Sequence, residues 1–168
     1  MISLRPLAEE DAGWLADWGM DRDFRVAAGW SDRTHDEYRR FCSDHIANGS
    51  DDEVMLGVTE QDRLVGYVCF YLDKSKQGCE LGIAIGPSSN WSRGYGRQAI
   101  TSATRYAMIE LGAVNVWAQT HPANIAARRM LKAAGYVETD TRGAVEEYRG
   151  EAAPLVRYEP SERARDQV

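Results

Sequence analysis

The chain has 168 residues and a mass of 18.8 kDa, which is enough for one ordinary domain. Hydrophobic residues make up 43% and charged residues 27%, a composition typical of globular chains and not of disordered ones. Twenty Lys and Arg residues against 26 Asp and Glu residues give a net charge of −6, which argues against a nucleic-acid binder and leaves room for a cationic partner.

The cysteines and the amino-terminal residues indicate the cellular compartment in which the protein is expected. Cys42, Cys69 and Cys79 form no CxxC pair, so the sequence predicts neither a disulfide framework nor a cysteine-based metal site. The first 30 residues carry no basic start followed by an apolar run, and no apolar run in the chain approaches the ~20 residues that cross a bilayer. We therefore expect a cytoplasmic protein with no membrane partner and no metal.

The first predicted elements are a short strand over residues 2–7 and two helices over residues 9–20 and 34–48. Acidic residues in the first turn favour the start of the first helix. Thr34, with Glu37 three residues later, is typical of a capping box that begins the second. The helical spacing predicts an apolar face on the second helix that consists of Tyr38, Phe41, Cys42, His45 and Ile46.

Alternation of apolar and polar residues then predicts three strands, over residues 53–60, 64–72 and 78–86, with Gln61 and Asp62 in the first turn. The remaining predicted elements are a helix at 97–111, a strand at 114–119, a helix at 124–134, and strands at 136–141 and 155–158. This order predicts a mixed sheet with helices on both faces, an α/β (α+β) fold. We expect one domain over residues 1–158 and a frayed polar tail over residues 159–168.

The most informative segment is a strand that runs through a glycine-containing loop directly into a helix, at residues 78–100. Gly94 and Gly96 allow backbone N–H groups to approach a ligand, and a helix N-terminus favours an anion such as a pyrophosphate. Arg93 and Arg97 add positive charge within reach of the same anion. A purely structural turn explains the glycines equally well. The segment is not a P-loop, and it is a poor dinucleotide fingerprint because it follows antiparallel hairpins.

Two motifs in this part of the chain resemble those of the GNAT N-acetyltransferase superfamily. The run from Arg93 to Gly96 is similar to the loop with which these enzymes bind the pyrophosphate of acetyl-CoA, and residues 121–136 are similar to their Asn-containing helix that ends in Gly-Phe/Tyr. The order of elements agrees over residues 2–158. The resemblance implies a twisted, mostly antiparallel sheet, acetyl-CoA as cosubstrate, an amine acceptor of small-molecule or peptide type, and a possible homodimer.

The resemblance also implies positions for the cosubstrate. The pantetheine arm is expected to pair with backbone groups of the third hairpin strand, and the pyrophosphate to lie on the amides of the glycine loop. Asn124 either hydrogen-bonds the pantetheine arm or only caps its helix. The cofactor-binding residues expected on this basis are Ile83, Ala84, Ile85, Arg93, Gly94, Tyr95, Gly96, Arg97 and Asn124.

Glu80 is the best sequence candidate for the base that takes a proton from the attacking amine. On a strand with a period of two, Glu80 shares a face with Gly82 and Ala84, and these two small residues leave open space beside the carboxylate. An edge glutamate that faces water is the alternative. The oxyanion donor implied by the resemblance is an amide near Ile83 or Ala84.

Three positions depart from the family pattern. Trp91 stands at the first position of the loop motif, where Arg or Gln is usual, which is similar to the subgroup of ribosomal-protein Nα-acetyltransferases and spermidine acetyltransferases. Leu131 and Ala127 stand where many members carry a general-acid Tyr or a Ser. The sequence therefore leaves the general acid unidentified. His121 is a further candidate for a proton relay, although a polar loop histidine is commoner.

The hypothesis that follows is an acetyl-CoA-dependent N-acetyltransferase that acts on a primary amine of a protein N-terminus, a polyamine or another small amine. A non-catalytic module that binds acyl-CoA is the alternative, favoured by the missing acid. A nucleotide-binding regulator is a third reading, which would bind ATP or NAD without affinity for CoA.

Overall fold

The fold is built on a mixed β-sheet. The computed structural model describes residues 1–140 and 143–166 of the chain. In that part of the chain the strands are β1 Ile2–Pro6, β2 Glu53–Glu60, β3 Arg63–Asp73, β4 Gly78–Ile85, β5 Asn115–Thr120, β6 Tyr136–Asp140, β7 Val145–Tyr148, β8 Glu151–Pro154 and β9 Val156–Pro160. The helices are α1 Asp11–Met20, α2 Arg22–Ala28, α3 His35–Asn48, α4 Tyr95–Ile109, α5 Ile125–Ala133 and α6 Glu162–Arg165.

Within the described residues the main sheet has seven strands in the order β1-β2-β3-β4-β5-β9-β6. Neighbouring strands are antiparallel except β4 and β5, which are parallel and are connected through α4. Helices cover both faces, so the predicted fold class, a mostly antiparallel mixed sheet with helices on both faces, is confirmed.

Alternation along β3 sends successive side chains into two separate cores. Val68 and Phe70 pack on the face that α4 and α5 cover, together with Ile100 and Leu131. Tyr67 and Cys69 and their neighbours pack on the opposite face, against α1, α2 and α3. We call these the α4 face and the α1 face. β4 is in contact with both cores, because Leu81 belongs to the α4 face and Ala84 packs on the α1 face.

Local sequence signals explain most element boundaries. Thr34 caps α3 in the predicted capping box with Glu37. Gln61 and Asp62 both have positive φ, at 49° and 64°, as a tight two-residue hairpin turn requires. The predicted apolar face of α3 is wrong at Phe41, which is 49% exposed and lies under the guanidinium of Arg33 at 4.2 Å.

The sequence prediction missed two helices, α2 and α6, and one hairpin. α2 begins directly after α1, because the Asp21 side chain accepts hydrogen bonds from the amides of Asp23 and Phe24 and so caps a new helix. The strands β7 and β8 form a separate hairpin whose turn, Arg149-Gly150, has positive φ at both residues. β9 runs to Pro160 and α6 follows it, so ordered secondary structure extends into the segment expected to be a frayed tail.

An ion pair between the buried Asp11 carboxylate and the partly exposed Arg5 guanidinium joins β1 to α1. The two terminal nitrogens of Arg5 donate to the carboxylate, at 2.7 and 2.9 Å, and the Ala8 amide donates to the same group at 2.8 Å. Burial alone would raise the pKa of Asp11, but the hydrogen bonds from Arg5 and Ala8 outweigh it and lower the pKa. The carboxylate therefore contributes stability when it is ionised.

We predict that Asp11→Asn lowers the free energy of unfolding at pH 7 by about 2 kcal/mol, the size typical of hydrogen bonds to a charged group. The folded pKa of Asp11 lies below its unfolded value near 3.8, so the ionised carboxylate stabilises the fold fully above about pH 5 and less as the pH falls below 4. The difference in free energy of unfolding between wild type and Asp11→Asn should follow the same course. Thermal melts of both proteins from pH 3 to pH 7 measure this, with Asp23→Asn, an exposed change on α2, as the control. A difference in melting temperature that stays constant with pH would contradict the assignment.

Candidate functional site

The site begins where β4 and β5 separate. The two parallel strands pair only between Gly78–Glu80 and Asn115–Trp117. Beyond Trp117, β5 pairs with β9 on its other side, whereas β4 continues to Ile85 paired only with β3. A gap therefore opens in the sheet between the second half of β4 and the second half of β5.

Backbone groups of β4 face this gap. In an antiparallel pair alternate residues bond to the partner, and the Gly86 amide donates to the Val65 carbonyl at 3.1 Å, so the even-numbered residues of β4 bond to β3. Ile83 and Ile85 consequently direct their backbone groups toward the gap. The carbonyl of Ile85 accepts from the Trp91 indole at 2.7 Å.

The β3–β4 pairing excludes one of the three residues whose backbone groups were expected to bind the pantetheine arm. Ala84 is opposite Tyr67 and uses its amide and carbonyl in the β3 ladder, so its backbone groups are not available to a ligand. The side chain of Ala84 instead forms part of the cavity wall. Ile83 and Ile85 keep the orientation that the expectation requires.

A cavity of about 220 Å³ passes through the gap and reaches both faces of the sheet. From the α1 face it is lined by Ala27, Ala28, Tyr67, Cys69, Tyr71, Gly82 and Ala84. From the α4 face and β5 it is lined by Leu81, Ile83, Ile100, Ala118, Gln119, Thr120, Asn124, Ala127, Met130 and Leu131. We call this cavity the cleft. Because it crosses the sheet, two molecules can enter it from opposite faces and meet inside.

The glycine loop is at the start of α4, next to the end of β4. Gly94 has a φ of +81°, precedes the first helical residue and provides no side-chain cap. In the described chain α2, α3, α5 and α6 all have such a cap, from Asp21, Thr34, Asn124 and Ser161. The first N–H groups of α4 are thus available to an anion, and the exposed side chains of Arg93 and Arg97 flank them.

The other two residues of the loop motif have additional packing roles. The Tyr95 side chain is buried and its hydroxyl donates to the Glu60 carboxylate, which raises the pKa of Tyr95, so Tyr95 can contribute only its amide to the loop. A Cβ on Gly96 would lie 2.7 Å from the Met130 sulfur. The second glycine therefore also permits the close approach of α4 and α5 beside the cleft.

Asn124 lines the cleft and caps α5. Its Oδ1 accepts from the Ala127 amide at 3.2 Å, which bears out the capping role. His121 does not line the cleft: it is 4% exposed, its Nδ1 accepts from the Ala123 amide, and its ring stacks on Tyr148. The suggestion that His121 relays a proton is therefore not supported by its position.

Glu80 lies at the last paired position of β4 and β5, where the gap begins. Its Oε1 accepts from the Gln119 side-chain amide at 3.2 Å. Glu80 faces a second, more open cavity of about 360 Å³ on the α1 face, which we call the acidic recess. The recess is lined by Ser50, Asp52, Glu53, Tyr71, Leu72, Asp73, Glu80 and Trp117.

Negative charge dominates the acidic recess. Four of its eight lining residues carry carboxylates; Lys74 lies 3.0 Å from that of Asp52, and the His45 ring lies 3.5 Å from that of Glu53. A recess of this charge attracts organic cations. In the described residues no group of three or more His, Cys, Asp and Glu side chains has an arrangement that could hold a metal ion.

Several residues of the site were missed by sequence reasoning. Tyr71 lines both cavities, Gln119 holds Glu80, and Trp117 forms a wall of the recess beneath the guanidinium of Arg157 at 4.3 Å. The position of Tyr71 opposite Glu80 depends on the β3–β4 register, which the Gln61-Asp62 turn does not set. The positions of Gln119 and Trp117 in the site depend on the parallel pairing of β5 with β4, which no local sequence signal predicts.

No helix in the described residues is long and apolar enough to cross a bilayer. The family model for the acetyltransferase (GNAT) domain matches residues 2–137. No functionally curated protein is a significant match to the chain.

Solved structures share the fold over nearly their whole length. The spermidine N-acetyltransferase from Vibrio cholerae in complex with CoA and spermine is 22% identical, with a TM-score of 0.77 over 94% of this chain and 93% of that one. The GNAT-family acetyltransferase from Bacillus anthracis is 17% identical, with a TM-score of 0.76 over 94% of this chain and 92% of that one.

Proposed function

The chain belongs to the GNAT acetyltransferase family and is an N-acetyltransferase that uses acetyl-CoA; from that premise we propose that it acetylates a primary amine of a small polycationic acceptor. The observation that carries the proposal is the junction of the two cavities at Glu80 and Tyr71. The cleft suits an extended thioester and the acidic recess suits a cation. The Vibrio cholerae structure of similar fold contains CoA and spermine, a linear polyamine, which supports the same pairing of ligands.

Acetyl-CoA fits the cleft from the side of the α4 loop. The amides of Arg93 to Gly96, with the side chains of Arg93 and Arg97, are suited to the pyrophosphate because they combine unsatisfied N–H donors with positive charge. From there the pantetheine arm runs along β4, where the backbone groups of Ile83 and the amide of Ile85 face the gap, and passes Asn124. The thioester then lies near the closed end of the gap, beside Glu80.

Glu80 is proposed as the base. A free alkylamine has a pKa near ~10 and is mostly protonated at pH 7, so it must lose a proton before it attacks the thioester. Glu80 is directed into the recess from which the amine arrives, and Gln119 fixes one carboxylate oxygen so that the other is left to accept a proton. The amide of Ile83 is the proposed oxyanion donor, since that of Ala84 is bonded to β3.

Transfer is direct, without an acetylated enzyme. Cys69 lines the cleft and is its one cysteine among the described residues. Burial raises the pKa of the Cys69 thiol to about 12, so it is almost entirely protonated at neutral pH and is a poor nucleophile. The amine therefore attacks the thioester itself.

Native mass spectrometry with CoA, followed by acetylation assays on an amine panel, tests the proposal. The panel contains spermidine, spermine, a peptide with a free N-terminus and no other cation, and an aminoglycoside. We expect CoA to bind and the linear polyamines to be the best acceptors. Binding of CoA with no product from any amine would favour a non-catalytic acyl-CoA module. Preference for the peptide, whose N-terminus is its one cation, would contradict the assignment of the acidic recess.

We predict that Gly94→Val weakens acetyl-CoA binding at least tenfold while the protein remains folded. Gly94 has a positive φ and open space around the position of a Cβ, so a side chain there would enter the volume in front of the α4 amides. Gly112→Val is the matched control, because Gly112 also has a positive φ and open surroundings but lies beyond the other end of α4. Calorimetry with acetyl-CoA measures both variants. Equal affinities would contradict the loop assignment.

We predict that Glu80→Gln lowers kcat roughly 10²-fold, a loss typical of a missing general base, with little change in acetyl-CoA affinity. The loss of kcat should become smaller as the pH rises toward the pKa of the amine, because more of the acceptor is then neutral when it binds. Asp52→Asn is the control, since it removes one negative charge from the rim of the same recess. If Glu80 only attracts the cation, both variants should raise KM alike and leave kcat unchanged; that result would rule out the base.

A further inference from the structure

The reaction proposed above releases a thiolate, and a proton donor near the sulfur would stabilise it. Leu131 and Ala127 line the cleft but carry no exchangeable side-chain proton. The O–H groups in the described cleft lining belong to Tyr67, Tyr71 and Thr120. The position of each along the gap decides which can reach the reacting atoms.

Tyr71 is the donor at the junction of the two cavities. It lies opposite Glu80 in the β3–β4 register, and it lines the acidic recess as well as the cleft. Tyr67 is opposite Ala84, four residues nearer the α4 loop, and its hydroxyl accepts from the Trp30 indole. Thr120 is three residues beyond the last β5 residue that pairs with β4. Because the amine comes from the recess and the thioester from the cleft, the two meet at Tyr71.

Gly82 allows the Tyr71 ring to lie at the mouth of the gap. A Cβ built on Gly82 would be 3.3 Å from Tyr71 Cε2 and 3.9 Å from the hydroxyl oxygen. The ring therefore lies across the bare backbone of β4, two residues past Glu80. Tyr71 is 46% exposed, and it lines both cavities.

The hydroxyl of Tyr71 carries its proton over the range of an ordinary assay. Burial is the largest cause of its raised pKa, and the neighbouring Cys69, Glu53 and Glu80 groups raise the pKa further. A hydroxyl that is protonated at neutral pH can donate a hydrogen bond to the developing thiolate and pass on its proton as the C–S bond breaks.

We propose that Tyr71 protonates the departing sulfur of CoA, an inference that rests on the proposed function. Glu80 first takes the ammonium proton of the acceptor and passes it to solvent, and the neutral amine then forms the N–C bond and gives its next proton to Glu80. The C–S bond breaks, and its electron pair goes to the sulfur, which takes the proton of the Tyr71 hydroxyl. The tyrosinate recovers a proton from protonated Glu80 through water in the recess. The net result is an amide and a CoA thiol, and both side chains return to their starting states.

The test compares Tyr71→Phe with Tyr106→Phe, a matched change on α4 outside the linings of both cavities. We expect Tyr71→Phe to lower kcat roughly 10²-fold or more while the melting temperature and the KM for acetyl-CoA stay close to wild type. Tyr106→Phe should retain wild-type kcat. A wild-type kcat in Tyr71→Phe overturns the inference and leaves the proposed function intact, whereas wild-type protein that acetylates no amine overturns both.

A second measurement separates proton donation from packing. The far-ultraviolet absorbance of the thiolate is titrated with CoA bound to each protein. A hydroxyl that donates to the sulfur stabilises the thiolate, so bound CoA should titrate about one pH unit higher in Tyr71→Phe than in wild type. Equal titration midpoints in the two complexes would overturn proton donation even if kcat falls.

Discussion

The early end of the β4–β5 pairing is the constraint on which the rest of the site depends. Buried backbone N–H and C=O groups are nearly always paired, and two parallel neighbours in a sheet would normally pair along their length. Here β5 pairs with β9 from Ala118 onward and so leaves β4 after three residues. β5 remains hydrogen-bonded throughout, and the missing partner is confined to the inner edge of β4. The amides of Ile83 and Ile85 therefore face the gap without a partner strand.

The same divergence explains why the cavity crosses the sheet and why its two ends differ. α4 begins just after β4 ends, so its uncapped amides and the Arg93 and Arg97 side chains give one end of the cleft a positive character. The other end opens beside Glu80 into a recess whose walls are largely carboxylates. Apolar side chains such as Met130 and Leu131 separate the two ends. In the proposed function the opposite charges of the two ends sort the two substrates, which meet where the cleft joins the recess at Glu80 and Tyr71.

Local chemistry made much of this molecule predictable from the sequence. Thr34 and Glu37 specify the start of α3, and the Gln61-Asp62 turn specifies the β2–β3 hairpin, because caps and tight turns depend on neighbouring residues. The glycine loop before α4 is a local signal as well. The α2 helix and the β7–β8 hairpin were missed, since a seven-residue helix and two four-residue strands carry too few residues for periodicity to register.

The sequence could not predict how strands that are distant in the chain pair with each other. Alternation correctly put Glu80, Gly82 and Ala84 on one face, but only the β3 register reveals that Ala84 has no free backbone groups and that Tyr71 lies over Gly82. The roles of Gln119 and Trp117 depend in the same way on where β5 leaves β4.

Amide hydrogen exchange by NMR, with and without saturating CoA, tests the central claim most directly. In the free protein the Ala84 amide should exchange slowly because it is bonded to β3, whereas the amides of Ile83 and Ile85 should exchange much faster because they face the gap. CoA should slow exchange at Ile83 and Ile85 and leave Ala84 nearly unchanged. Slow exchange at Ile83 and Ile85 in the free protein, or no change on CoA binding, would contradict the account.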